Sequence, residues 1–258
     1  MEDRKLYHAA LARRKRAVRG SEYGGGMSGR AFSGGELVAR LGPHPVRVWG
    51  LDLDTDAGLA RWLVAACLLA PRGDEAAAVA ARGALAERGI DAPEALAHAG
   101  PASVAAALRA ASYPKPEIMA ARLVRASASL IERHGGSLSA LASSVDGIEA
   151  LGAALVALAP GVGAATAAEF LRPLRGRFTA ARETPLAPAA RVAALHVGLL
   201  RESEDETGEP GALRAALARE QPIPDLADVE AALTRLGRQA CRPGATQRCP
   251  LGPDCPVR

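Results

Sequence analysis

The sequence predicts an all-α protein, and three observations carry that expectation. Hydrophobic residues make up 49% of the chain and aromatic residues only 3%, with alanine, leucine and valine dominant, a composition suited to close-packed helices with small side chains. From about residue 54 onward apolar positions recur at i, i+3, i+4 spacing, and no segment shows convincing strand alternation. Glycine and proline interrupt these periodic stretches at helix-length intervals. A chain of 258 residues suffices for one sizeable core, or for two lobes sharing a groove.

The elements follow in order. Residues 1–48 read as a basic, Gly-rich and flexible N-terminal arm, with a short helix over 3–18 and glycines at Gly24-Gly25-Gly26 and Gly34-Gly35. Such an arm is either an unstructured tail or a cationic extension that adds non-specific affinity for DNA. Asp54 or Thr55 caps a helix through about Ala70, whose stripe is Leu59, Trp62, Leu63, Ala66 and Leu69. Pro71 and Gly73 stop it. Helices follow over 74–88, 93–99, 103–111 and 116–134, the last closed by Gly135-Gly136. A helix from Ser143 or Ser144 to Leu158 leads to Pro160-Gly161-Val162-Gly163 and another over 164–171. Helices over 188–200, 209–220 and 225–239 complete a 49–240 helical body, with Glu202 to Glu209 a solvated linker and 241–258 a cysteine-containing loop.

A net charge of +4 fits either an Arg-rich coding bias or attraction to phosphate. Lysine is confined to Lys5, Lys15 and Lys115, and arginine cannot serve as an amine nucleophile. No apolar run approaches the roughly 18 residues that span a bilayer, and no apolar core follows the basic N-terminus, so a soluble intracellular protein with no membrane partner is expected. Cys67 reads as a small core residue, whereas Cys241, Cys249 and Cys255 crowd the C-terminus as a metal or cluster site would. The five histidines show no metal-binding spacing. Trp49 and Trp62 read as core anchors.

The segment Leu155 to Ala167 is the most informative. An apolar helix ends, Pro160-Gly161-Val162-Gly163 turns the chain, and a second apolar helix begins at once. Glycines permit a tight turn and close approach of a ligand, and the free N–H groups of the new helix then offer a site for a DNA phosphate. As a lone motif it could equally be a plain turn between helices.

This motif resembles the Leu-Pro-Gly-Val-Gly-x-x-Thr-Ala of the helix-hairpin-helix DNA glycosylase superfamily, in its endonuclease III branch. The resemblance extends to Tyr113 through Gly136, to Arg182-Glu183-Thr184-Pro185 with Arg191-Val192-Ala193-Ala194 and Gly198-Leu199, and to Leu236 through Cys241 with Cys249-Pro250-Leu251 and Cys255-Pro256. These segments keep the family's order over about residues 54–258. The resemblance implies two helical lobes around a DNA-binding groove, a monomer, double-stranded DNA as partner, a cytoplasmic, nucleoid-associated location, and base-excision repair by a hydrolase. Pro160, Gly161, Val162, Gly163 and Thr166 become the DNA-binding residues.

Four departures qualify it. The Schiff-base lysine of the family falls on Ala165, so strand cleavage by a lyase step loses its nucleophile, and Lys115 is a poor substitute. The catalytic aspartate falls on Glu183, which keeps the charge one methylene further out and can activate water or stabilise an oxocarbenium-like sugar; the plainer alternative is a surface glutamate following the basic Arg172, Arg175, Arg177 and Arg182. Leu68 to Asp74 resembles the segment whose glutamine fills the gap left by a flipped base, but Pro71 stands at that place, leaving Arg72 as a candidate wedge and base selection changed or lost. The family's Cys-x6-Cys-x2-Cys-x5-Cys becomes Cys241-x7-Cys249-x5-Cys255, with Thr246 near the missing ligand, so an iron–sulfur cluster is incomplete, differently ligated or absent, absence being the expectation. Two functions follow: a monofunctional DNA N-glycosylase using Glu183, or a non-catalytic DNA-binding relative.

Overall fold

Ser33 accepts a hydrogen bond from the Glu36 amide while the Glu36 carboxylate accepts one from the Ser33 amide, and this capping box starts helix α1 at Gly34–Leu41. The computed structural model describes residues 32–69, 74–201, 208–241, 249–252 and 255. His44 and Pro45 begin the short α2, Pro45–Val48. Helices thus occupy 34–41 and 45–48, where the sequence predicts a flexible arm; the short helix expected over 3–18 lies outside the described residues. Gly34 is misleading as a sign of flexibility. A Cβ there would stand 2.5 Å from Leu217 Cδ2 and 2.9 Å from Val229 Cγ2, so the glycine serves close packing.

Helices α3 (Asp56–Leu69), α4 (Glu75–Ala86, capped by Asp74) and α5 (Pro93–Ala110) follow. The separate helices expected over 93–99 and 103–111 are both present: non-helical backbone at Gly100 (φ +72°, ψ 169°), just before Pro101, divides the α5 stretch into two helices. Helix α6 spans Pro116–His134 and ends on left-handed Gly135. The helix expected from Ser143 or Ser144 to Leu158 is α8 (Gly147–Val156), which starts only after Gly147 with its φ of +82°; a short helix that was not expected, α7 (Leu138–Ser143), precedes it. Helix α9 is Ala164–Leu171. Two 3-10 turns, Arg172–Leu174 and Thr179–Ala181, lead to α10 (Pro188–His196), α11 (Glu209–Leu217) and α12 (Leu226–Gln239). All regular structure among the described residues is helical.

These helices bury two hydrophobic cores. The first runs from Val46 to Ala181 and centres on the apolar α3, where Trp62 is fully buried and donates its indole N–H to the Phe170 carbonyl at 2.9 Å. Cys67 is buried here, as expected for a small core residue, while Trp49 is only partly buried against it. The second core joins α1 to α10, α11 and α12, so the two ends of the described chain share it. Gly237 sits where α12 crosses α10, its Cα so near the Ala189 carbonyl that a Cβ would stand 2.0 Å from that oxygen. Glu209, expected in a solvated linker, is buried in an ion pair with Arg191; residues 202–207 of that linker lie outside the described residues. None of the described helices is long and apolar enough to cross a membrane.

Arg235 of α12 fastens the two cores together. It donates to the carbonyls of Leu41, Gly42 and Pro43 at 3.0, 2.6 and 2.9 Å, and its Nη2 and Nε meet the Glu75 carboxylate at 2.6 and 2.8 Å. A planar guanidinium making a two-point carboxylate contact is a geometry lysine could not reproduce.

Candidate nucleic-acid interface

The turn between α8 and α9 brings backbone donors to the surface. Ala157 ends α8, Val162 donates to the Ala159 carbonyl at 3.0 Å, and Gly161 between them takes a φ of +88° that favours glycine. Val162 and Ala159 are buried anchors, whereas Pro160, Gly161, Gly163, Ala164 and Ala165 are exposed. Gly163 is the N-cap of α9 and supplies no side-chain cap, and a Cβ at Gly163 would meet nothing within 4 Å. Amides at a helix start without a capping side chain, in open space, are a setting for an anion. Thr166 departs from its expected DNA-binding role: its side chain is 4% exposed and belongs to the protein interior. The Arg122 guanidinium of α6 lies against Gly161, its Nη2 2.7 Å from where a Cβ would stand.

Glu183 stands exposed on a turn that is held from beneath. Thr184, 1% exposed, donates its hydroxyl to the Ala181 carbonyl at 2.7 Å. Buried Arg175 donates to the Thr184 carbonyl (2.8 Å), the Pro185 carbonyl (3.2 Å) and Glu230 of α12 (2.5 Å). Glu230 also accepts from the Ala187 amide at 2.8 Å, and Arg172 lies 3.3 Å from its other side. Arg172 and Arg175 are thus not the exposed basic patch the sequence suggests. They are structural cations, and Arg177 pairs with Asp54 at 3.1 Å.

A small polar cavity lies where α2, α4, α9 and α12 meet. Its volume is about 40 Å³, and its walls include His44, Glu75, Glu169, Arg172, Glu230 and Arg235. Space of that size holds a few waters, each needing roughly 10–15 Å³. Burial raises the Glu169 carboxyl above the ordinary range while the Arg172 contact at 2.9 Å opposes the rise. His44 accepts from the Val46 amide through Nδ1 and packs edge-on against Trp62 at 5.1 Å. Burial, then Arg235, Arg172, Arg47 and Arg175, lower its pKa from 6.5 to about 3.

That shift fixes a sign. Between these values the unfolded chain binds the proton and the folded chain does not, so the His44 contribution is complete above 6.5 and is lost as pH falls toward 3. His44→Phe, which cannot bind a proton, is expected to flatten the stability loss on acidification across that window. Chemical denaturation at a series of pH values checks it; a parallel decline in both proteins contradicts it.

Sequence reasoning missed His44 and Glu169. The available signal for the latter was a lone carboxylate within the apolar Ala164–Leu171 helix, three residues before Arg172. Pro71 and Arg72, the segment expected to fill or wedge the duplex, lie outside the described residues. Among the described residues no three His, Cys, Asp or Glu side chains converge to hold a metal ion. Cys249 is buried in the second core beside Leu251, with Cys241 and Cys255 packed against that core. Burial, with Cys249 and then Cys255 adding to it, pushes the Cys241 thiol up to about 11. Compared with known proteins, the chain matches no family model, and no curated protein matches it significantly.

Proposed function

We propose that this chain is a monofunctional DNA N-glycosylase that grips duplex DNA with a helix-hairpin-helix formed by α8, the Pro160–Gly163 turn and α9. The observation that carries this reading is the start of α9 without a side-chain cap, opened by Gly161 and Gly163 and set beside the Arg122 cation. A phosphate oxygen there accepts from backbone amides in the favourable field of the helix start. Glu183 supplies the second element. Its turn is fixed by Arg175, so a carboxylate projects from a rigid support, and the adjoining Thr184 and Pro185 line the groove between α8 and α9. In hydrolysis Glu183 takes a proton from water as the water oxygen bonds to the sugar C1′ and the base leaves with the bonding electrons. Ala165 provides no amine, so the strand stays intact until an abasic product meets alkali.

A second reading, DNA binding without base release, is favoured by the cavity between the cores: at about 40 Å³ and fastened by Arg235–Glu75, it leaves no room for a base in this conformation. Glu183→Gln separates the two. A glycosylase loses about a hundredfold or more of its base release while keeping duplex affinity. Release from a panel of damaged and modified duplexes, followed by alkali, measures this; equal release by wild type and Glu183→Gln removes Glu183 from the mechanism.

A further inference from the structure

We propose that the second core carries a docking pocket for the carboxyl-terminal end of a partner protein, an acidic tail whose last side chain is apolar. The pocket lies where the first 3-10 turn, Arg172–Leu174, meets the end of α11 and the start of α12, and its volume is about 480 Å³. It shares no lining residue with the Pro160–Gly163 turn. Ligand sites of roughly 300–1,000 Å³ are the usual range, so there is room for a chain end. The floor is apolar: Leu217 is 1% exposed, and Pro173, Pro224 and Leu226 join it. Ile223, 61% exposed, lines the same pocket. A large aliphatic side chain left in water beside an apolar recess marks a surface that a partner covers.

The charge of the lining comes down to one cation. Arg172, Arg175, Arg214 and Asp225 all border the pocket. Arg175 is spent on Glu230 and on the Thr184 and Pro185 carbonyls, and Arg172 on Glu169 and Glu230. Asp225 is spent as well: its Oδ1 accepts from the Ala227 and Asp228 amides at 2.9 and 3.2 Å, and its Oδ2 lies 3.5 Å from Arg47. Arg214, in the last turn of α11, is exposed and meets no carboxylate among the described residues. One unpaired guanidinium beside an apolar floor matches a ligand with one anionic end and an apolar body. The terminal carboxylate and last side chain of a peptide have that form, and capture of a chain end is a recurring mode of recognition. Duplex DNA does not have it, since the duplex carries a charge about every 1.7 Å and presents no aliphatic side chain to cover Ile223. Arg219, exposed and next in sequence to the lining residue Ala218, adds positive charge nearby, while the carboxylate of Glu220 beside it is held by the Gly34 and Gly35 amides at 2.7 and 3.1 Å. Acidic residues ahead of the terminus are favoured by that field.

The test is fluorescence anisotropy of a labelled synthetic peptide, Glu-Asp-Asp-Leu-Phe with a free terminal carboxylate, titrated with the full chain. Wild type is expected to bind it with a Kd of about 100 μM or tighter, and to bind the same peptide ending in a carboxamide about tenfold more weakly, because the amide removes the charge that Arg214 meets. Arg214→Gln is expected to erase the difference between the two peptides, and Ile223→Ser to weaken both about fivefold. Both side chains are exposed, so neither change disturbs the cores. No binding of the carboxylate peptide at about 0.5 mM protein overturns the pocket. Equal affinity of wild type for the carboxylate and carboxamide forms overturns it too, as does an Arg214→Gln protein that still prefers the carboxylate.

Discussion

Gly161→Val is expected to weaken duplex binding by about tenfold or more, near 1.4 kcal/mol, while leaving helix content intact. The argument has two parts. A φ of +88° is strained for any residue with a Cβ and worst for a β-branched one, so the turn must reshape. The new side chain also meets Arg122 Nη2 and Nε at 2.7 and 2.8 Å, and the guanidinium must leave the place from which it reinforces the phosphate site. Gly152→Ala is the control. That glycine lies in α8, a Cβ there meets nothing within 4 Å, and its duplex affinity is expected to equal that of wild type. Fluorescence anisotropy of a labelled duplex reads both. Unchanged affinity in Gly161→Val removes the turn from the interface.

The second large effect is on stability. Glu230→Ala leaves the Arg175 guanidinium, 4% exposed, without its carboxylate and strips an acceptor from the Ala187 amide. Breaking one partner of a buried pair costs about 3–5 kcal/mol, which lowers Tm by about 10 °C or more in a chain of this size. The double variant Arg175→Met with Glu230→Leu is expected to recover a substantial part of that loss, because two apolar groups replace the uncompensated charge. Thermal unfolding followed by circular dichroism checks the order. A Glu230→Ala protein as stable as wild type would mean the network is not what holds the Glu183 turn.

Much of the helical framework was legible because its signals are local. Asp74 capping α4, the kink-prone Gly100-Pro101 and Gly135 closing α6 each act within a turn or two of their own position. Residues whose role depends on a distant partner were not legible. Gly34 looks like a flexible joint in sequence, but its meaning is set by Leu217 and Val229, far along the chain. Arg172 and Arg175 look like a surface patch because nothing nearby announces Glu230 in α12. Thr166 fits the family's pattern and yet is buried, on the same helix as the buried Ala167, Phe170 and Leu171. Of the candidate site, the turn and its glycines could be read directly, whereas Arg122 over Gly161 depends on how α6 packs.

The most direct measurement is the salt dependence of duplex affinity. If Gly163, Ala164 and neighbouring cations neutralise backbone phosphates, the logarithm of affinity falls linearly with the logarithm of salt, with a slope of about −0.9 for each phosphate contacted. A clear negative slope that becomes shallower in Gly161→Val is the expected result. No binding at about 50 mM salt, or an affinity indifferent to salt, contradicts the claim that this turn grips DNA.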